Sequence, residues 1–177
     1  RTVKGMENCQ FIRPAYAVQY DAYQPTGLTH SYETKLVKGL FFGGQLNGTS
    51  GYEEAAVQGF MAGVNAVLSL DNKEPFILGR NESYIGVLTD DLVLKGITEP
   101  YRMFTSRSEY RLLTREDNAE ERLIEYGYKL GLISKTRYER HQHDMQEINY
   151  EIDRLRNTLI KKTAKNEKYL ATLGVAI

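Results

Sequence analysis

Two stretches of the chain carry residues whose types and spacing could do chemistry. The first, Gly39 to Gly63, reads GLFFGGQLNGTSGYEEAAVQGFMAG. Gly43 and Gly44 remove side chains where the backbone leaves the apolar run Leu40-Phe41-Phe42, so a ligand can approach the main chain itself. Gln45 and Asn47 put amide donors and acceptors at the mouth of the loop. Thr49 or Ser50 can cap the helix that follows, whose free N–H groups and positive dipole end suit an anion or a flat polar cofactor. The loop lacks the Lys-Ser/Thr pair of a P-loop and does not match G-x-G-x-x-G, so neither nucleotide fingerprint applies.

The second stretch runs from Glu99 to Arg115. On a continuous helix Arg107, Arg111 and Arg115 would stand one turn apart, forming a row of guanidinium groups about 6 Å from step to step. Such a row can follow a phosphate backbone. Arginine suits planar, two-pronged phosphate contacts, and Tyr101, Phe104 and Tyr110 offer rings on which a base could stack. The competing reading is that Glu109, Glu116 and Asp117 neutralise the row as surface ion pairs.

Other constellations are weaker. His30, His141 and His143 have no metal-ligand spacing with one another or with Cys9, so no metal site is expected. Glu53-Glu54 and Asp90-Asp91 are adjacent pairs, and neighbours on a helix point to different sides, which makes them poor acid/base dyads. The glutamates fit the first turn of a helix, where the dipole favours negative charge. Cys9 has no basic neighbour to activate it as a nucleophile.

Positioning these residues requires a β-rich first part and a helical second part. Tyr16, Val18 and Tyr20 could line one face of a strand, Pro25-Thr26-Gly27 marks a turn, and Leu28 to Leu36 reads as a further extended segment. Leu40 to Phe42 would be a buried strand feeding the glycine loop, and a helix follows from Tyr52 to Leu70. Gly59 and Gly63 lie four apart on one face of it and would let it approach a sheet closely. After the polar break Asp71 to Pro75, helices are expected over Tyr84 to Lys95 with Gly96 as stop, Ser106 to Leu113, and Asn118 to Leu130 closed by Gly131. The longest begins near Ser134. Tyr138, His141, Met145, Ile148, Ile152, Leu155 and Leu159 repeat in it at steps of three and four, a seam for packing within a helical bundle in preference to dimerisation. Lys161 to Lys168 reads as a basic loop.

Composition narrows the function classes. The chain has 177 residues, with Lys plus Arg and Asp plus Glu equal at 23 each, so any nucleic-acid binding must come from a local patch. A single cysteine rules out an intrachain disulfide framework and fits a reducing compartment. No apolar stretch approaches the roughly 20 residues of a membrane span, and no signal-peptide pattern opens the chain. A cytoplasmic location is expected. The chain begins Arg-Thr-Val, without Met, in what reads as a domain interior, so a fragment is expected.

The runs GLFFGGQLNGTSGYEEAAVQG, YIGVLTDDLV and above all EPYRMFTSRSEYRLLTREDNAEERL closely resemble the MnmG (GidA) family of flavoproteins. The similar TrmFO methyltransferases share the flavin loop but lack the helical part. The resemblance implies an enzyme that uses FAD and NADH and, with the GTPase MnmE, adds an aminomethyl or carboxymethylaminomethyl group at C5 of the wobble uridine of tRNA. It implies a homodimer, with the NADH site and the catalytic residues outside this chain. Gln45 matches the family's flavin-contacting glutamine, and the candidate cofactor contacts are Gly44, Gln45, Asn47, Thr49, Gly51 and Tyr52. Arg102 and Arg111 match basic residues the family uses for tRNA, and Arg107 joins them by position; Arg115 completes the candidate nucleic-acid contacts from the spacing alone. Gly44 stands where alanine is usual, and His30-Ser31-Tyr32 departs from the family's pattern. The fold class expected is α+β: residues 1–75 as the last strands and closing helix of a Rossmann-like FAD-binding α/β domain, then residues 76–177 as the start of an all-α domain. The alternative is a helical protein-interaction module without RNA contact.

Overall fold

The computed structural model describes residues 2–15 and 20–175. The expected strand positions Tyr16 and Val18 lie outside the described residues, and Tyr20 is exposed. The described residues fall into two compact units divided between Glu116 and Asp117.

The first unit is built around two helices. α1 spans Tyr52–Leu70, and α2 spans Tyr84–Asp90 and continues through a π turn at Asp91–Lys95. Both match the expected ranges. Ser83 caps α2, its hydroxyl accepting from the Gly86 N–H at 2.9 Å, and Gly96 ends the π turn at φ 70°. Gly86 has no side chain because the carbonyl of Gly79 occupies the space a Cβ would fill. The link between the helices is tied down by Asn65 of α1, whose amide donates to Phe76 O at 3.0 Å and whose Oδ1 accepts from Phe76 N–H at 2.7 Å.

No strand forms among the described residues, which corrects the expectation of strands at Leu28 to Leu36 and Leu40 to Phe42. Isolated bridges pair Leu28 with Thr34 and Glu33 with Phe41 instead. The chain folds back on itself too tightly for a ladder: Tyr32 takes a left-handed conformation at φ 67°, and Gly39 follows at φ 80°. Leu40 is exposed, so the apolar run is not a buried strand.

Leu28, Tyr32, Met61, Ala62 and Val93 form one core, with Phe41, Phe42 and Phe76 packed against it. Leu88, Leu92 and Tyr101 form a second, joined by Val57, Ile97 and Met103. The face of α1 bearing Gly59 and Gly63 does not meet a sheet, because a Cβ at either would find open space. The close approach is made by the loop, with Gly43 lying against the backbone of Gln58 and Gly59.

The second unit holds α3 (Ala119–Lys129), α4 (Lys135–Asn157) and α5 (Ala164–Thr172). Asn118 precedes α3 as expected, and the hydroxyl of Ser134 caps α4 by accepting from the Arg137 N–H. Tyr128 and Tyr138 stack with ring centroids 4.3 Å apart, and Arg137 pairs with Glu120 at 2.9 Å. The seam of α4 is covered only in its first half: Tyr138, His141 and Met145 are half-buried, whereas Ile148, Ile152 and Leu155 are exposed. Of the loop expected over Lys161 to Lys168, only 161–163 lies outside a helix, since α5 begins at Ala164, with the hydroxyl of Thr163 accepting from the Asn166 N–H.

Candidate functional site

The glycine loop is a short 3-10 turn, Gly44–Asn47, entered at Gly44 with φ 75° and left at Gly48 with φ 78°. Its interior is polar and closed on itself. Gln58 of α1 is fully buried, donating to Thr49 Oγ1 at 2.9 Å and to Glu54 O at 3.0 Å, while its Oε1 accepts from Asn47 Nδ2 at 2.8 Å. Asn47 Nδ2 also donates to Phe42 O at 3.2 Å, and the Thr49 hydroxyl donates to Gly44 O at 3.1 Å. These side chains hold the loop's shape.

The helix that follows is capped by Gly51, not by Thr49 or Ser50, because the Thr49 hydroxyl is committed to the loop. The positive end of α1 faces its own Glu54, which is 4% exposed. Glu54 Oε2 lies against Gly51, and Oε1 accepts from the Met103 N–H at 2.8 Å. A carboxylate of the chain thus stands where the sequence suggested an external anion.

Loop and arginine stretch meet directly. The Tyr101 N–H donates to Gly48 O at 2.8 Å and the Ser50 N–H to Tyr101 O at 3.1 Å, forming a parallel bridge between Thr49 and Tyr101. A cleft of about 380 Å³ opens beside this bridge, lined by Tyr23, Gln45, Gly48, Thr49, Ile97 and Pro100 among others. Its walls are clamped by Gln24, whose Nε2 donates to Ile97 O at 2.9 Å and whose Oε1 accepts from the Ile97 N–H at 3.1 Å. Gln45 and Thr49 therefore share the cleft. Gly44, Asn47 and Gly51 are buried in the loop's own packing, and Tyr52 is 93% exposed.

The expected helix over Ser106 to Leu113 is absent: only a 3-10 turn at Thr105–Arg107 forms, followed by irregular turns. Arg107, Arg111 and Arg115 do not form a helical row. The Arg107 guanidinium lies 4.4 Å over the Tyr101 ring, a cation–π contact, and its Nε donates to Arg102 O at 2.8 Å. Arg111 reaches Ser108 O at 3.5 Å, and Arg115 donates to Leu112 O at 2.9 Å. Arg102 is half-exposed with its Nε 3.9 Å from Glu54 Oε1.

Glu109 does not neutralise this group. It accepts a two-pronged contact from Arg80, Nε to Oε1 at 2.6 Å and NH2 to Oε2 at 2.8 Å. The same guanidinium donates through NH1 to Asp90 at 3.1 Å and to Asp91 at 2.8 Å. Adjacent carboxylates expected to diverge thus converge on one cation. Asp91 also accepts from Lys95 at 2.6 Å and from the Tyr101 hydroxyl at 2.9 Å. Burial opposes ionisation of Asp91, but hydrogen bonds from Lys95, Arg80 and Tyr101 outweigh it and hold the carboxyl below its ordinary range. The Arg80 fork lowers Glu109 to about 2, and burial, reinforced by the Asp91 charge, pushes the Tyr101 hydroxyl up.

Sequence reasoning does not single out Arg80, Gln58 or the role of Asp91. The i,i+4 pair of Asp91 with Lys95 is readable, but Arg80 has no local signal because its partner Glu109 is 29 residues away. Among the described residues no group of three or more acidic, histidine or cysteine side chains could hold a metal, and no helix is long and apolar enough to cross a membrane.

Residues 1–74 match the family described as Glucose inhibited division protein A. The chain is 56% identical over 172 residues to a Helicobacter pylori protein named tRNA uridine 5-carboxymethylaminomethyl modification enzyme MnmG, covering 97% of this chain and 28% of that protein. A Listeria welshimeri protein of the same name is 56% identical over 174 residues, covering 98% and 28% respectively. The crystal structure of Aquifex aeolicus GidA in form II superposes with a TM-score of 0.80 at 51% identity, over 90% of this chain and 27% of that one. The chain thus spans little more than a quarter of the length of these relatives, and its resemblance to them extends over nearly all of its own.

Proposed function

We propose that this chain, a match over nearly its whole length to part of the MnmG (GidA) proteins, is the part of a tRNA-modifying enzyme where a cofactor loop meets an RNA-contacting segment. The observation that carries the reading is the Thr49–Tyr101 bridge, which puts the glycine loop and the arginine stretch back to back. A cofactor and a tRNA must come together for a base to be modified, and a direct link between the two candidate elements supports that reading.

In this reading Gln45 holds one edge of FAD, with Thr49 as part of the wall beneath it, in the cleft of about 380 Å³, a volume within the range of about 300 to 1,000 Å³ usual for small-molecule sites. The residues fit such a group: a cleft lined by an exposed glutamine, the aromatic Tyr23 and the backbone of Gly48 packed under Ile97. FAD, when bound, supplies the redox chemistry. Gly44, Asn47 and Gly51 shape the loop that Gln45 projects from, and Tyr52 stands exposed beside it. Arg102, Arg107, Arg111 and Arg115 contact the RNA backbone, with the Tyr101 ring holding Arg107 in place. The loop and α1 close a Rossmann-like FAD domain ending near residue 75, and the rest opens a helical domain. The whole enzyme would use NADH, act as a cytoplasmic homodimer with the GTPase MnmE, and install the (carboxymethyl)aminomethyl group on the wobble uridine.

Charge reversal tests the reading. In the full-length enzyme, Arg102→Glu with Arg111→Glu should weaken tRNA binding and lower the salt slope by about one for each phosphate no longer bound, while MnmE still binds. Loss of MnmE with tRNA binding intact would make this stretch a protein-docking module instead.

A further inference from the structure

The stretch from Phe104 to Thr114 has little regular structure to hold it, yet it carries two of the arginines assigned to RNA. Apart from the single turn at Thr105–Arg107 it has no ladder of its own. Besides the burial of Ser108 and Thr114, two polar anchors order it. At the front, Tyr101 is buried, joined to the glycine loop by its backbone and to Asp91 by its hydroxyl. At the back, Glu109 is held by the Arg80 fork. Both anchors converge on one guanidinium, because Arg80 NH1 also donates to Asp91.

Arg80 is itself placed firmly. Gly79 donates its N–H to Glu82 at 2.6 Å, and the close pass of Gly79 over Gly86 presses the link onto α2, beside Asp90 and Asp91. The planar guanidinium makes four hydrogen bonds to three carboxylates, two of them the parallel fork on Glu109, whereas a lysine ammonium has three N–H donors and no fork. The same arrangement keeps those carboxylates away from Arg107 and Arg111, which have no ion-pair partner among the described residues.

We propose that Arg80 is a positioning residue for RNA contact, acting through Glu109 to fix the coil that presents Arg107 and Arg111. The proposal rests on the RNA reading above. It makes a counter-intuitive demand on Glu109. A carboxylate that merely lies near an RNA surface repels phosphate, so neutralising it should tighten binding. A carboxylate that anchors the coil does the opposite when neutralised.

The test is tRNA affinity of the full-length enzyme carrying Glu109→Gln or Arg80→Lys, each in the native background and with Arg107→Ala plus Arg111→Ala. Positioning predicts that either substitution weakens binding about tenfold in the native background, on the order of one charge-assisted hydrogen bond. In the background without the two arginines, either should change affinity by less than about twofold, the non-additivity of residues acting as one unit. Arg80→Lys keeps the charge, so its loss would report the fork and not the net field. Tighter binding by Glu109→Gln, or an equal loss in both backgrounds, overturns the proposal. If Arg107→Ala plus Arg111→Ala alone leaves tRNA affinity unchanged, the RNA reading fails and the positioning role with it.

Discussion

Replacing Gln58 by leucine should loosen the glycine loop without leaving a hole. Leucine nearly conserves the volume, so the cavity cost of a truncation is avoided. The substitution removes three hydrogen bonds of 2.8, 2.9 and 3.0 Å in a fully buried setting. Each contributes about 1 kcal/mol net, which sets a gross loss of about 3 kcal/mol. The partners are not orphaned: Asn47 Nδ2 keeps Phe42 O, and the Thr49 hydroxyl keeps Gly44 O. The added apolar burial of leucine returns about 1 kcal/mol. The expected net cost is therefore about 2 kcal/mol, equivalent to a fall in melting temperature of roughly 4 to 8 °C for a protein of this size. Urea unfolding of the wild type and Gln58→Leu measures it, and hydrogen exchange of the loop amides should speed up in parallel. A change below about 0.5 kcal/mol with unaltered exchange would refute the idea that this amide holds the loop.

Two further perturbations follow from the same geometry. Gly48→Ala puts a side chain at φ 78° and its Cβ onto Ile97 Cδ1, so urea unfolding should show a loss of about 1 to 2 kcal/mol and the displaced Ile97 should narrow the cleft; unchanged stability would mean the left-handed turn carries no strain. Asp91 and Glu109 have depressed pKa values in the fold, so their contribution is complete above the ordinary carboxylate range near pH 4 and is lost as pH falls below it, for Glu109 through about 2. Melting temperatures followed down that range should fall less in Glu109→Gln than in the wild type, and parallel curves would count against the anchor.

The helices are the most legible part of the sequence. Tyr52–Leu70 and the 84–95 segment follow from apolar spacing bounded by glycine, serine and a polar break, because those signals act within a few residues. Where sequence and structure part, distant partners decide the local conformation. Ser106 to Leu113 has a helical composition, but Arg80 takes Glu109 and the Tyr101 ring takes Arg107, and both contacts favour the coil. Leu40 to Phe42 reads as a strand and is not one, because a short apolar run cannot report whether a sheet exists to receive it. The helix at 164–172 is hard to read although Thr163 offers a cap, since basic residues hide the pattern. At the site, Gln45 and Thr49 are legible together, whereas the inward turn of Asn47 depends on Gln58, eleven residues along.

The ties that organise the first unit span long separations: 73 residues from Gln24 to Ile97, 60 from His30 to Asp90, 49 from Glu54 to Met103 and 29 from Arg80 to Glu109. Without strands among the described residues, side chains do the work that backbone ladders do in a sheet. This has a kinetic consequence. Each tie must close a large loop before it returns any energy, so α1 and α2 can form early while the arginine coil must wait for both. A nascent or refolding chain would pass through a stage in which its helices exist and its arginine coil does not, and ionic strength would tune the last step more than the first ones.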